Sequence, residues 1–145
     1  MNLVAYIDGT SLGNPGAAGY GVVLKNEGGE VLKSVGRYIG RATNNTAEYR
    51  GLLGCLELVK EYEARSLTVF SDSQLLVNQV KGIYRVKKTH LRALHAKTLE
   101  EMKVWGTHIE IHHIPRSENW EADGLARRAV QRRVKEEKET ENPQG

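Results

Sequence analysis

Thr43-Asn44-Asn45-Thr46-Ala47-Glu48-Tyr49 reads as the start of a helix, and the rest of the chain is arranged around it. Asn44, Asn45 or Thr46 can cap the free N–H groups of a first turn. Leu52, Cys55, Leu56, Val59 and Tyr62 then recur at helical spacing, which predicts a helix to about residue 64. One helical turn before Leu52 stands Glu48. Its carboxylate heads the stripe that faces the core, where an unpaired charge is costly. Taken alone, Glu48 could be half of a capping box favoured by the positive helix end. Otherwise it needs a hydrogen-bond partner, a cation or a metal.

Before this helix, residues 3–8 form an apolar, β-prone run that ends in Asp8, and residues 9–16 read as a turn-rich loop. Residues 19–25 and 31–39 are two further strands joined at Asn26-Glu27-Gly28-Gly29, with an irregularity expected at Gly36. After it come a strand at residues 66–70, the polar break Ser71-Asp72-Ser73, and a short helix to about Val80. A longer helix is predicted over residues 88–104, a strand over 108–114 and a last helix from about Ser117 past Val130. The order β-β-β-α-β-α-α-β-α predicts a five-stranded mixed α/β sheet, a three-strand antiparallel meander plus parallel strands, with helices on both faces.

The chain has 145 residues, 39% of them hydrophobic and 27% charged, which suits one globular domain. We read residues 1–130 as that domain and 131–145 as a charged, disordered tail. The net charge of +3 permits a polyanionic partner without demanding one. A lone cysteine, Cys55, makes no intrachain disulfide, and no Cys/His cluster resembles a zinc site. Neither a leader peptide nor a stretch of transmembrane length is apparent, so the expected setting is cytoplasmic. No obligate protein partner is evident.

Four acids are expected to meet. Asp8 and Asp72 follow strands predicted to be parallel, and ligand sites in such sheets lie at the carboxyl ends of the strands. If those strands are neighbours, the two acids sit roughly 5 Å apart. Glu48 enters from the intervening helix. Asp123 shares a helical stripe with Asn119, Ala126 and Val130. Each acid alone could be a cap, a turn residue or a solvated side chain. Two carboxylates about 4 Å apart repel by roughly 4 kcal/mol at an effective dielectric near ~20. A group of them therefore calls for protonation or for hard cations between them. Oxygen ligands favour Mg²⁺ or Mn²⁺, and two such ions are a standard device for phosphodiester cleavage.

Four motifs stand in order along the chain: Asp8-Gly9-Thr10-Ser11-Leu12-Gly13-Asn14-Pro15-Gly16, Thr43-Asn44-Asn45-Thr46-Ala47-Glu48, Ser71-Asp72-Ser73-Gln74, and Asn119-Trp120-Glu121-Ala122-Asp123-Gly124-Leu125-Ala126. Through them the chain resembles the type 1 ribonuclease H (ribonuclease HI) family. The resemblance implies the ribonuclease H-like fold and endonucleolytic hydrolysis of the RNA strand of RNA–DNA hybrids, with 5′-phosphate and 3′-hydroxyl products. It implies two metal ions held by Asp8, Glu48, Asp72 and Asp123. Asp8 would bridge the two; Asp123 would serve the ion beside the attacking water, and Glu48 and Asp72 the ion beside the leaving oxygen. It assigns the substrate to Gly9, Thr10, Ser11, Asn14, Asn44, Asn45 and Gln74, with Thr43 toward a DNA phosphate. His113 is a candidate proton shuttle, by its spacing from Asp123, and Arg116 is the alternative.

The residues themselves add a basic segment. Residues 81–97 carry Lys81, Arg85, Lys87, Lys88, Arg92 and Lys97 and no acid. This reads as a phosphate-tracking patch with Lys87 and Lys88 at its centre and Tyr84 as a sugar or base platform, or else as a solvated helix face. Longer bacterial relatives carry an extra basic helix here, for which this chain has no room. Two other readings compete: another nuclease on the same fold, such as an exonuclease, integrase or resolvase, and a non-catalytic hybrid-binding module. The first lacks the motif around Glu48, and the second would lack one of the acids.

Overall fold

The apolar run at the N-terminus becomes the central strand, β1 (Asn2–Leu12), of a five-stranded sheet in the order β3-β2-β1-β4-β5. This computed structural model describes residues 1–141. On one side, β1 pairs antiparallel with β2 (Gly16–Lys25), and β2 with β3 (Val31–Ala42). On the other, β1 runs parallel to β4 (Ser66–Ser71), and β4 parallel to β5 (Ile109–His113). The meander and the parallel strands are those expected from the sequence.

Asp8 does not end its strand. The parallel ladder with β4 stops at Ile7↔Ser71, while the antiparallel ladder with β2 continues from Asp8↔Gly21 to Leu12↔Ala17. Residues expected to form a loop are held in the sheet because β2 satisfies their backbone groups whatever their side chains. Asp8 is thus the first residue of β1 beyond the parallel pairing. The irregularity expected at Gly36 falls elsewhere, at the register shifts between Ala18 and Gly19 and between Leu24 and Lys25. Gly36 instead gives room to a helix: a Cβ there would lie 2.7 Å from the Leu125 carbonyl.

The pleat sorts β2 into two faces. Tyr20, Val22 and Leu24 join Leu3, Ala5 and Ile7 of β1 in the main core, under α1 (Asn44–Leu58). Gly19 and Gly21 point to the opposite face, against α4 (Trp120–Glu141); a Cβ on Gly21 would meet the Ala122 carbonyl at 2.2 Å. Ala122, Ala126 and Val130 are the buried stripe of α4. α2 (Gln74–Val80) and α3 (Thr89–Lys103) pack on the α1 side. Residues 81–88 between them form no helix, in line with the missing basic insertion.

Two helix limits differ from expectation. α1 gives way to a 3-10 turn (Val59–Glu61) and ends short of residue 64. α4 continues to Glu141, where a disordered tail was expected from residue 131; residues 142–145 lie outside the described residues. Loss of apolar residues is not loss of helix. Lys, Arg and Glu are good helix formers, Arg133 pairs with Glu137 at 3.4 Å, and its guanidinium lies 5.1 Å from the Tyr38 ring centre. Among the described residues no helix is long and apolar enough to cross a membrane.

Candidate active site

The site begins with Gly9. A Cβ there would lie 2.4 Å from both the Ala47 carbonyl carbon and the Glu48 nitrogen. The first turns of α1 therefore rest directly on the β1 backbone, and Glu48 arrives beside Asp8. Two side chains fasten the same end. Thr43 is the helix cap, accepting from the Thr46 N–H at 3.2 Å, in place of the Asn44, Asn45 or Thr46 expected. Asn14 Oδ1 accepts from the Asn44 N–H at 2.9 Å and so ties the β1–β2 turn to the helix. With Thr43 as cap, Glu48 lies too far along the helix to complete a capping box.

Asp72 follows β4 directly. The cap of α2 is Ser73, which accepts from the Leu76 N–H at 3.1 Å, so the Asp72 carboxylate is not consumed as a cap. Asp8, Glu48 and Asp72 each offer an oxygen, and these oxygens lie within 4.8 Å of one another. Asp8 is 5% exposed and Glu48 8%. Glu48 Oε2 and Asp72 Oδ2 are buried with no hydrogen-bond partner. Orphaned carboxylate oxygens facing one another are costly in a folded protein. An all-oxygen donor set of this kind fits a hard divalent cation.

The fourth acid lies outside that trio but acts on Asp8, whose carboxyl it also helps to raise. Asp123 lines the same cavity, about 420 Å³ in volume, but its Oδ1 accepts from Arg127 Nε at 3.1 Å. Its helix is placed by Asn119, whose buried Nδ2 donates to the Ile7 carbonyl at 2.8 Å, next to Asp8. The sequence reading had put Asn119 on the stripe without giving it this duty. Arg127 and Gln131 also line the cavity and were missed, although each is one helical turn beyond the last in the series Asp123, Arg127, Gln131.

The remaining expected residues separate into groups. Gly9, Thr10, Asn44 and Asn45 line the acid cavity, whereas Ser11, Asn14, Thr43 and Gln74 lie outside its lining. Ser11 Oγ donates to the Ala42 carbonyl at 2.8 Å, a structural bond from the end of β1 to the end of β3. Gln74 is exposed on α2. Arg116 lines the cavity and its charge acts on Glu48, while His113 is exposed at the end of β5 and is not part of the lining. Arg116 is itself exposed and borders the cavity from the turn after Pro115. Lys87 and Lys88 line a neighbouring cleft of about 470 Å³ with Tyr84, Arg85 and Asn45. Asn45 is common to both cavities.

Burial, then the charges of Glu48 and Asp72, pushes the Asp8 carboxyl up to about 10. Burial and the charge of Asp72 push Glu48 up to about 8. An unfolded carboxyl titrates near ~4, so between that pH and the raised values the folded chain binds more protons than the unfolded one. Without metal, the contribution of these two groups to stability is then full below about pH 4 and is lost as pH rises toward 8–10. In EDTA the melting temperature should fall from pH 5 to pH 8. Added divalent cation, which displaces those protons, should restore more at pH 8 than at pH 5. A melting temperature in EDTA that rises over this range would contradict the assignment of repulsion to the cluster.

A family model described as reverse transcriptase-like matches residues 6–129. A bifunctional protein of Mycobacterium tuberculosis is 40% identical over 131 residues, 90% of this chain and 36% of its own. The chain thus spans about a third of that relative's length. Ribonuclease HI of Pasteurella multocida is 35% identical over 120 residues, 80% of this chain and 73% of its own. LC11-RNase H1, solved with an RNA/DNA hybrid, superposes with a TM-score of 0.87 at 35% identity, covering 92% of this chain and 99% of that one. A parallel ladder that stops just before Asp8, a glycine that seats Glu48 against it, and these matches along most of the sequence agree: the chain belongs to the ribonuclease HI family, whose members are metal-dependent.

Proposed function

We propose that this protein is an endonuclease that hydrolyses the RNA strand of RNA–DNA hybrids. The observation that carries the reading is the trio of converging carboxylates, buried Asp8 and Glu48 with half-buried Asp72, in which Glu48 and Asp72 each keep an unpartnered oxygen, opening beside Asn44 and Asn45. Asp8, Glu48, Asp72 and Asp123 would hold two Mg²⁺ or Mn²⁺ ions. When bound, such ions lower the pKa of water and offset charge on the attacked phosphate and the leaving 3′ oxygen. The products would carry 5′-phosphate and 3′-hydroxyl ends.

The chain's own residues supply position and discrimination. Asn44 and Asn45, with the Gly9-Thr10 backbone, offer donors and acceptors at the cavity wall, as reading a ribose 2′-hydroxyl requires. Asn14 holds that wall through its bond to the Asn44 N–H, and Ser11, Thr43 and Gln74, outside the lining, would meet substrate that extends beyond the cavity. Arg116, which borders the cavity, is better placed than His113, which does not, to meet a phosphate oxygen. Lys87 and Lys88, joined to the acid cavity through Asn45, would follow the backbone of the bound duplex. The catalytic unit we assign to residues 1–130, with the distal part of α4 as a charged extension, and the buried Cys55 thiol suits a reducing cytoplasmic setting.

The test is cleavage of end-labelled substrate with Mg²⁺ or Mn²⁺. Hybrid should be cut internally in the RNA strand, double-stranded DNA left intact, and EDTA should abolish cutting. Undiminished cleavage in EDTA would overturn the metal reading. Release of nucleotides from an end only would favour an exonuclease on the same fold.

A further inference from the structure

The basic segment is presented by a loop with little apolar anchorage. Residues 81–85 and 87–90 are exposed, and Val86 alone is half-buried against the core. Backbone bonds hold one end: the Asn78 carbonyl accepts from the Ile83 and Tyr84 N–H groups at 2.8 and 3.0 Å. Exposed Arg92 donates from Nε to the Val86 carbonyl at 3.2 Å. Arg85 is fixed differently. Gln79, on the core face of α2 and 4% exposed, donates from Nε2 to the Arg85 carbonyl at 3.4 Å. The other end of the same amide, Oε1, accepts from the Tyr49 hydroxyl of α1 at 2.7 Å. The Gln79 main-chain carbonyl accepts from His95 Nε2 of α3 at 3.0 Å, and the Tyr49 and His95 rings meet edge to face.

A core position filled only for packing would take an apolar residue, since burying an amide is costly unless both ends are bonded. Here both ends are bonded, and they run to different places: one to the residue after Glu48, the other to the loop that carries Arg85, Lys87 and Lys88. Among the described residues, no other buried side chain bonds to this loop. We propose that Gln79 is a positioning residue for substrate binding: it fixes the basic loop relative to α1, so that the loop cations and the acid cavity meet one duplex in register. This rests on the hybrid-endonuclease reading for the identity of the duplex. The ordering of the loop by Gln79 does not.

The experiment uses the full chain and two variants, Gln79→Met, of similar volume with no hydrogen-bonding amide, and Tyr49→Phe. Three quantities are read: steady-state cleavage of hybrid at several salt concentrations, the melting temperature, and the rate at which trypsin cuts after Arg85, Lys87 and Lys88 in the native protein. For Gln79→Met, KM should rise roughly tenfold with kcat nearly unchanged, the pattern of lost binding common to ground and transition states. The slope of affinity against salt should flatten, and tryptic cutting in the loop should quicken. Tyr49→Phe should shift all three in the same direction by less, and it decides the matter if Gln79→Met fails to fold. A lower melting temperature with unchanged KM, salt slope and loop cutting would reduce Gln79 to a structural residue and overturn the proposal. Equal loss in kcat and kcat/KM would overturn it as well. If the wild-type protein cuts no hybrid, the functional reading fails, and the tryptic comparison alone decides whether Gln79 orders the loop.

Discussion

Asp8→Asn should abolish cleavage of hybrid while leaving the melting temperature in EDTA level or higher. Asparagine keeps the size of the side chain and one oxygen, so the packing of β1 survives. What is lost is a carboxyl that the metal-free fold must hold protonated at neutral pH, because burial, Glu48 and Asp72 all disfavour its charge. Asparagine, neutral at every pH, spares the metal-free protein that cost. In the proposed assignment Asp8 touches both ions, so its loss disturbs the whole centre at once. Losing one preorganised electrostatic contact typically costs about 10²–10³-fold in kcat, and a shared ligand should cost at least that. The measurements are thermal melting in EDTA and hybrid cleavage in Mg²⁺. A variant that melts several degrees lower and still cuts would make Asp8 a structural residue.

Gly9→Ala should damage stability and activity together. The added methyl would stand 2.4 Å from backbone atoms of Ala47 and Glu48, which have no side-chain freedom with which to yield. Either β1 or the first turns of α1 must move. Overpacking of this kind costs typically about 1–3 kcal/mol, a fall of roughly 2–12 °C in melting temperature at this size. Because Glu48 is one of the displaced residues, kcat should fall by more than the loss of folded protein explains. Gly28→Ala is the control: only Asn26 Oδ1, at 3.5 Å, lies near its added methyl. Equal effects of the two substitutions on melting and turnover would mean that the contact of α1 with β1 does not set the site.

The convergence of the acids was legible in the sequence because two periodicities agreed. The stripe from Leu52 to Val59 pointed Glu48 inward, and the ends of two apolar strands pointed Asp8 and Asp72 to one edge. What was not legible was backbone pairing. Residues 9–12 have loop-like composition, and only the partner strand β2 shows that they are extended. The same holds for Gly19, Gly21 and Gly36, where sequence suggests weak strand and the structure shows the bed of α4. The charged end of α4 misled for a related reason: hydropathy reports burial, and an exposed helix needs little of it. Arg127 and Gln131 were within reach of the helical period from Asp123 but carry no family motif. Gln79 was beyond reach, because its partners Tyr49, Arg85 and His95 come from three other parts of the chain.

β1 is bonded along both edges up to Ile7, and beyond Asp8 it stays paired with β2. Asp8 therefore cannot be released by fraying of a loop, since opening its backbone means separating the central strand from its neighbours. Slow amide exchange is expected of such positions, at free energies near that of global unfolding. Glu48, Asp72 and Asp123, by contrast, lie near the ends of their helices or just before one. In the proposed assignment Asp8 would be the ligand that stays fixed for as long as the fold exists, with Glu48 packed against it and Asp72 and Asp123 freer to adjust.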